Sequence, residues 1–168
     1  EIATHLLVLG HGASTNMRHR ILQSIADSLA AEKIATFRYN FPYMENGRGR
    51  DSQDTCTATV RSAVAAARKA APGLPLLAGG HSFGGRMTST AAFVQPLDGV
   101  HGIVFFAFPL HQPGKSDTKR AEHLGAVQIP MLFLSGTRDA LAEPDLLRTV
   151  CIRIGNRATL HPLDTADH

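Results

Sequence analysis

The stretch LPLLAGGHSFGG, residues 74–85, decides how the rest of the chain is interpreted. Its first half, LPLLA, is a short apolar run that predicts a buried β-strand. Its second half is a cluster of glycines around Ser82, and the following residues, 84–93, predict a helix. A buried strand that passes through a glycine-rich turn into a helix is typical of a parallel sheet with helices on its faces.

The same alternation of apolar runs and helical segments continues along the whole chain. Further strands are predicted at 5–9, 34–39, 102–108, 131–135 and 158–163, further helices near 14–29, at 54–71 and at 144–152, and polar loops at 40–53 and 109–119. We therefore expect an α/β fold with a mostly parallel central sheet and helices on both faces. Functional sites in such sheets form at the carboxyl ends of the strands.

Length and composition indicate one folded domain spanning residues 1–168. Apolar residues make up 43% and charged residues 18% of the chain, enough apolar side chain to argue against disorder. No run approaches the roughly 18 apolar residues that span a bilayer, so no membrane partner is expected. The apolar run Leu6 to Leu9 is too short for a signal peptide, although the sequence begins at Glu1.

Charge and cysteine usage narrow the function classes further. The formal charge is +3, but lysines and arginines are scattered, so no nucleic-acid partner is expected. Cys56 and Cys151 lie far apart and suggest two buried thiols in a reducing, cytoplasmic compartment. The histidines show no metal-ligand spacing. We therefore expect neither a metal nor a cofactor.

Ser82 is the candidate nucleophile, because Gly80-x-Ser82-x-Gly84 stands between a strand and a helix. A sharp turn there lifts the serine hydroxyl clear of the sheet, and the N–H of Phe83 would face a developing oxyanion. A plain glycine-rich turn is the alternative. A phosphate-binding loop fits less well, because Arg86 and Met87 stand where that motif requires Lys and then Ser or Thr.

A serine nucleophile needs a base and an acid that orients the base. Asp139 follows the strand 131–135 through a short loop, and His168 follows the strand 158–163. Both lie at the predicted carboxyl edge, so Asp139 is the expected acid and His168 the expected base. Asp164 and Asp167 are nearer to His168 in sequence but fit the acid role less well.

The loop Gly10-His11-Gly12-Ala13 follows the first predicted strand. It is expected to supply the second oxyanion donor, the N–H of Ala13, with His11 beside it as a hydrogen-bonding or substrate-contacting residue. The two polar loops are expected to wall the pocket and to bring Tyr43, Met44 and His111 to its rim. Two loop arginines, Arg48 and Arg50, could attract an anionic substrate or could simply be solvated.

These motifs together resemble the α/β-hydrolase superfamily. Gly10-His11-Gly12, the glycine cluster around Ser82, Ser135-Gly136-Thr137-Arg138-Asp139 and Ala166-Asp167-His168 follow its order. The stretches YNFPYM, residues 39–44, and FPLH, residues 108–111, resemble a compact subgroup related to dienelactone hydrolases and to the testis-expressed protein 30 and KAT8 regulatory NSL subunit 3 group.

The resemblance implies a Ser82–His168–Asp139 triad with an oxyanion hole from the N–H groups of Phe83 and Ala13. The segments between the strands are short, so we expect an α/β-hydrolase fold with little or no cap and a small acyl substrate. Dienelactone hydrolases proper use a cysteine where this chain has Ser82. A helix normally follows the catalytic histidine, so the domain is expected to lack that C-terminal helix. The alternative is an interaction module or complex subunit on a hydrolase fold, without catalysis.

Overall fold

The computed structural model describes residues 2–168 and contains one six-stranded sheet. The strands are β1 His5–Gly10, β2 Ile34–Arg38, β3 Leu76–His81, β4 Val100–Phe106, β5 Met131–Gly136 and β6 Ala158–Leu163. Their order is β2-β1-β3-β4-β5-β6, and every neighbouring pair is parallel. The predicted α/β fold with a parallel sheet is confirmed.

Helices connect the strands and cover both faces of the sheet. They are α1 Arg20–Ala31, α2 Pro42–Asn46, α3 Gln53–Ala70, α4 Phe83–Val94 and α5 Pro144–Ile154, together with 3-10 helices at Lys119–Ala126 and Gly155–Arg157. Helices α3, α4 and α5 bury their apolar sides in the larger core, whereas α1 packs Leu22 against Leu7 and Leu9 on the opposite face. The alternating side chains of β1 therefore reach two separate cores.

Several helices begin or end at positions that differ from the predicted ones. Helix α1 begins at Arg20 rather than near Ser14, because His19 caps it by accepting a hydrogen bond from the N–H of Ile21. The predicted loop 40–53 contains α2, which has proline in its first turn and ends at Gly47 with a φ of 62°. Local proline and glycine signals could have revealed this helix.

Two further features are the hydropathy of the helices and the state of the cysteines. No helix within the described residues 2–168 is long and apolar enough to cross a membrane. Cys56 and Cys151 are both buried free thiols, as predicted. Burial raises the pKa of each thiol to about 11, so both are protonated at neutral pH and are poor nucleophiles.

Candidate active site

Ser82 stands at the turn between β3 and α4, where the backbone is strained. Its φ of 50° and ψ of −112° lie outside the regions that non-glycine residues prefer. The N–H of Ser82 donates to the carbonyl of Phe106 at the end of β4, which anchors the turn to the sheet. No side chain caps the start of α4, so its first N–H groups remain available at the site.

The two glycines of the motif are required because β1 approaches the turn closely. A Cβ atom at position 80 would lie 2.6 Å from the carbonyl oxygen of Gly10, and one at position 84 would lie 2.4 Å from the Gly10 carbonyl carbon. Both contacts are with backbone that has no room to move. The Gly80-x-Ser82-x-Gly84 spacing therefore fits the end of β1 against the nucleophile turn.

The structure brings the side chains of Ser82, His168 and Asp139 into one hydrogen-bonded chain. Ser82 Oγ lies 2.7 Å from His168 Nε2, and His168 Nδ1 lies 2.8 Å from Asp139 Oδ2. A carboxylate only accepts, so Nδ1 carries the proton and Nε2 accepts from the serine hydroxyl. The second oxygen of Asp139 accepts from the N–H of Leu141, and the Asp139 side chain is fully buried.

Backbone contacts between the loops after β5 and β6 hold His168 in place. The N–H of Arg138 donates to the carbonyl of Ala166, and the N–H of Thr165 donates to Thr137 Oγ1. The Ala166 carbonyl also lies close to Gly136, because a Cβ atom added at position 136 would be 2.2 Å from the Ala166 carbonyl oxygen. The His168 side chain is 22% exposed, so part of it reaches solvent while these contacts fix the position of its loop.

Ala13 and Phe83 both line the cleft that contains Ser82. The carbonyl of Gly12 is held by His11 Nδ1 at 2.7 Å and by the N–H of Thr15. The N–H of Ala13 belongs to the same peptide and therefore points the opposite way. Tyr43 donates its hydroxyl proton to the carbonyl of Ala13. The peptide groups on both sides of Ala13 are thus fixed.

His11 is a buried structural residue rather than a substrate contact. The N–H of Phe41 donates to His11 Nε2, so the proton must sit on Nδ1, where it is donated to Gly12. Burial lowers the pKa of His11, which suits this neutral form. The expectation that His11 could touch substrate is not met, because both ring nitrogens are occupied and the residue has no exposed surface.

The other predicted rim residues, Tyr43, Met44 and His111, are not among the residues that line the cleft. Tyr43 is 5% exposed, and Met44 packs against the core. His111 is buried with its two ring nitrogens on the Gln112 carbonyl and the Glu143 carboxylate. Both partners are acceptors, which favours the protonated ring. Burial alone would lower the pKa of His111, but the hydrogen bonds to Gln112 and Glu143 outweigh it and raise the pKa. Tyr43 and His111 are buried, contrary to the predicted rim position, whereas Met44 is half-buried and its rim position stays a prediction.

The predicted loops do wall the cleft, but through different side chains. The cleft has a volume of about 370 Å³, and its lining consists of Ala13, Arg50, Ser82, Phe83, Arg86, Pro109, Gln112, Pro113, Arg120 and Leu141. Sequence reasoning missed Arg86 and Arg120. Arg86 lies three residues after Phe83 on α4, and that spacing places both on one helix face. The position of Arg86 on this helix is visible in the sequence and could have identified it as a cleft residue.

A larger cavity of about 480 Å³ lies on the other side of β5, between α5 and β6. Its lining includes Leu147, Leu160 and Pro162, but neither Ser82 nor His168. The cleft beside Ser82 is therefore the better candidate site despite its smaller volume.

The comparisons with known proteins agree with this fold. Residues 3–168 match the model of the alpha/beta hydrolase domain family, and the chain belongs to that family. The structure is similar to an alpha-beta serine hydrolase homologue from Coxiella burnetii, with a TM-score of 0.81 and 17% identity over 100% of this chain and 79% of that one.

Two further solved structures have the same fold. A serine hydrolase without lid from Xanthomonas campestris gives a TM-score of 0.75 with 20% identity over 100% of this chain and 75% of that one. Est1E from Butyrivibrio proteoclasticus, solved with ferulic acid, gives a TM-score of 0.75 with 15% identity over 99% of this chain and 82% of that one. At these identities the likeness concerns the fold.

Proposed function

We propose that this protein is a serine hydrolase that cleaves an ester or related acyl bond of a small molecule through an acyl-enzyme intermediate. The observation that carries the proposal is the continuous chain of hydrogen bonds from Ser82 through His168 to the buried Asp139. A serine that only shaped a turn would need neither partner. The family membership and the serine-hydrolase neighbours support the same reaction class.

In this mechanism Ser82 Oγ attacks the carbonyl carbon while its proton passes to His168 Nε2. The N–H groups of Phe83 and Ala13 donate to the oxyanion that develops. Asp139 keeps the ring oriented and stabilises its charged form. His168 then protonates the leaving oxygen, the ester C–O bond breaks, and the acyl group stays on Ser82. Water attacks the acyl-serine by the same route and restores the enzyme.

The finer relationship is part of the proposal. The motifs YNFPYM and FPLH, the short connections between strands and the open cleft support a place in the compact subgroup named above. A reducing cytoplasm fits the two free buried cysteines. An interaction module on the same fold would not use the activated serine, so its reactivity separates the two functions.

The test is labelling with a fluorophosphonate probe, followed by peptide mass spectrometry. We expect the label on Ser82 and its loss in Ser82→Ala. Ser89→Ala is the matched control, because Ser89 also hydrogen-bonds a histidine, His123, but is buried on α4. It should keep the label. A folded wild-type sample without label on Ser82 would contradict the proposed function and favour the interaction module.

A further inference from the structure

Three arginine side chains line the cleft beside the candidate nucleophile. Arg50 follows α2, Arg86 lies in α4, and Arg120 lies in the 3-10 helix Lys119–Ala126. They come from three separate segments of the chain, so helical spacing alone does not bring them together. We call these three residues the arginine cluster.

The side chains of the arginine cluster are held in place by contacts that leave their positive charges without an acidic partner. Within residues 2–168, none of its guanidinium groups forms an ion pair with a carboxylate. The guanidinium carbons of Arg50 and Arg86 lie 5.1 Å and 6.0 Å from the centre of the Phe83 ring, which gives a cation–π attraction. Arg120 donates one hydrogen bond to the carbonyl of His111. Most of their N–H groups therefore remain free for a ligand.

The cluster also creates a local excess of positive charge. Burial lowers the pKa of Arg86, and the nearby charges of Arg120 and Arg50 lower it further. The pKa of Arg120 is lowered in the same way by burial and then by Arg50, while Asp117 acts in the opposite direction. Asp117 is the acidic group that acts on Arg120, and within residues 2–168 no ion pair joins it to the cluster. Like charges in a partly buried site repel each other until an anion binds.

Residual charge and shape together select the kind of anion. Guanidinium groups offer planar pairs of donors that match the oxygens of carboxylate and phosphate. Three guanidinium groups that line one cleft and form no ion pair match a doubly charged phosphate better than a single carboxylate. The cleft has a volume of about 370 Å³, which is enough for a small molecule, and Ser82 is part of its lining.

We propose that Arg50, Arg86 and Arg120 bind a phosphate group carried by the ester substrate that Ser82 attacks. The proposal rests on the hydrolase function above and names its substrate class, a small ester or thioester with a phosphate monoester. The anion positions the acyl carbon at Ser82, and no further covalent step is involved.

The test uses three acetate esters that differ in one group: 2-acetoxyethanol, 3-acetoxypropanoate and 2-acetoxyethyl phosphate. Acetate release is followed by proton NMR. We expect kcat/KM for the phosphate ester to exceed that for the neutral ester by at least about tenfold, and added salt to reduce this preference. A carboxylate ester that is preferred over the phosphate ester would overturn the phosphate assignment.

Substitutions assign the preference to the cluster. In Arg86→Gln and Arg50→Gln the ratio of kcat/KM for the phosphate ester to kcat/KM for the neutral ester should fall towards one. Arg48→Gln is the matched control, because Arg48 is an exposed arginine of the same loop outside the cleft lining, and it should keep the wild-type ratio. An unchanged ratio in Arg86→Gln would overturn the proposal.

A binding measurement keeps this inference separate from the hydrolase proposal. Inorganic phosphate is titrated into wild type, Ser82→Ala and Arg86→Gln, and Tm is recorded. We expect phosphate to raise Tm in the first two proteins and much less in the third. If Ser82 is labelled but phosphate has no such effect, the phosphate site fails while the hydrolase function stands. If phosphate binds but Ser82 is unreactive, the hydrolase function fails and a phosphate site remains.

Discussion

The position of Asp139 explains how a histidine at the edge of the molecule can serve as a base. Asp139 is buried under the ring of His168, and its two oxygens are divided between the ring and the N–H of Leu141. A carboxylate held in this way fixes which ring nitrogen carries the proton. The sequence contains two other acids near His168, but Asp164 and Asp167 are exposed.

Asp139→Asn should therefore lower kcat by about 10³- to 10⁴-fold, because the amide no longer enforces the productive tautomer of His168. The rate is measured with 4-nitrophenyl acetate after circular dichroism has shown native structure. Asp164→Asn and Asp167→Asn are the controls, and both should stay within about twofold of wild type. A comparable loss in Asp167→Asn would mean that the acid has been assigned to the wrong residue.

At the scale of single residues, the local pattern predicted Ser82, Asp139 and His168, and the structure brings the three together. Their catalytic roles stay predictions until the labelling is done. The pattern was misleading for Tyr43 and His111, because a loop residue can turn inwards. Tyr43 bonds the Ala13 carbonyl and His111 bonds Glu143, and sequence spacing cannot reveal either partner.

At the scale of elements, the end of β5 and the loop after β6 form one unit that carries both Asp139 and His168. Gly136 ends β5, and the backbone at Ala166 passes directly over it. The absence of a side chain at position 136 therefore sets the distance between the two loops.

Gly136→Ala should push the loop at Ala166 outwards and move His168 away from Ser82. A displacement of about 1 Å can cost about 100-fold in rate, and we expect kcat to fall at least tenfold, with a loss of about 1–3 kcal/mol in unfolding free energy. Gly125→Ala is the control, because its added Cβ meets no atom within 4 Å. Wild-type kcat in Gly136→Ala would show that this contact does not position the base.

At the scale of the whole molecule, buried histidines link folding stability to pH. Burial is the main cause that lowers the pKa of His81 and of His123 to about 4, with nearby positive groups adding to it. Both are neutral in the native state at pH 5, whereas the unfolded chain, with a histidine pKa near 6.5, binds protons there.

The free energy of unfolding should therefore fall as pH drops from about 6.5 to 4, because the unfolded state takes up the protons that the native state excludes. Each of the two groups contributes a slope of at most about 1.4 kcal/mol per pH unit. His111 acts oppositely: its raised pKa stabilises the protein below pH 6.5, and this contribution is lost as pH rises.

Urea unfolding between pH 4.5 and 7 measures this dependence. His123→Gln should remove about one proton from the slope between pH 4.5 and 6. A wild-type stability that stays flat from pH 6.5 to 4.5 would contradict the assignment of both histidines as neutral.

The fold class and the chain order of the three candidate catalytic residues could be predicted from the sequence. Apolar runs bounded by glycine and proline indicate strands and helices from local stretches of about ten residues. Parallel strands must present their carboxyl ends at one edge of the sheet. That is sufficient to predict where Ser82, Asp139 and His168 meet. Boundaries such as the start of α1 were less well predicted, because a single side-chain cap decides them.

The tertiary structure alone decided what surrounds that meeting point. Arg50, Arg86 and Arg120 are up to 70 residues apart in the chain, and only the packing of three separate segments brings their charges into one cleft. His11 likewise gains its role from Phe41, which is 30 residues away. Contacts at such separations depend on how whole elements pack, and no local pattern of residues encodes that arrangement.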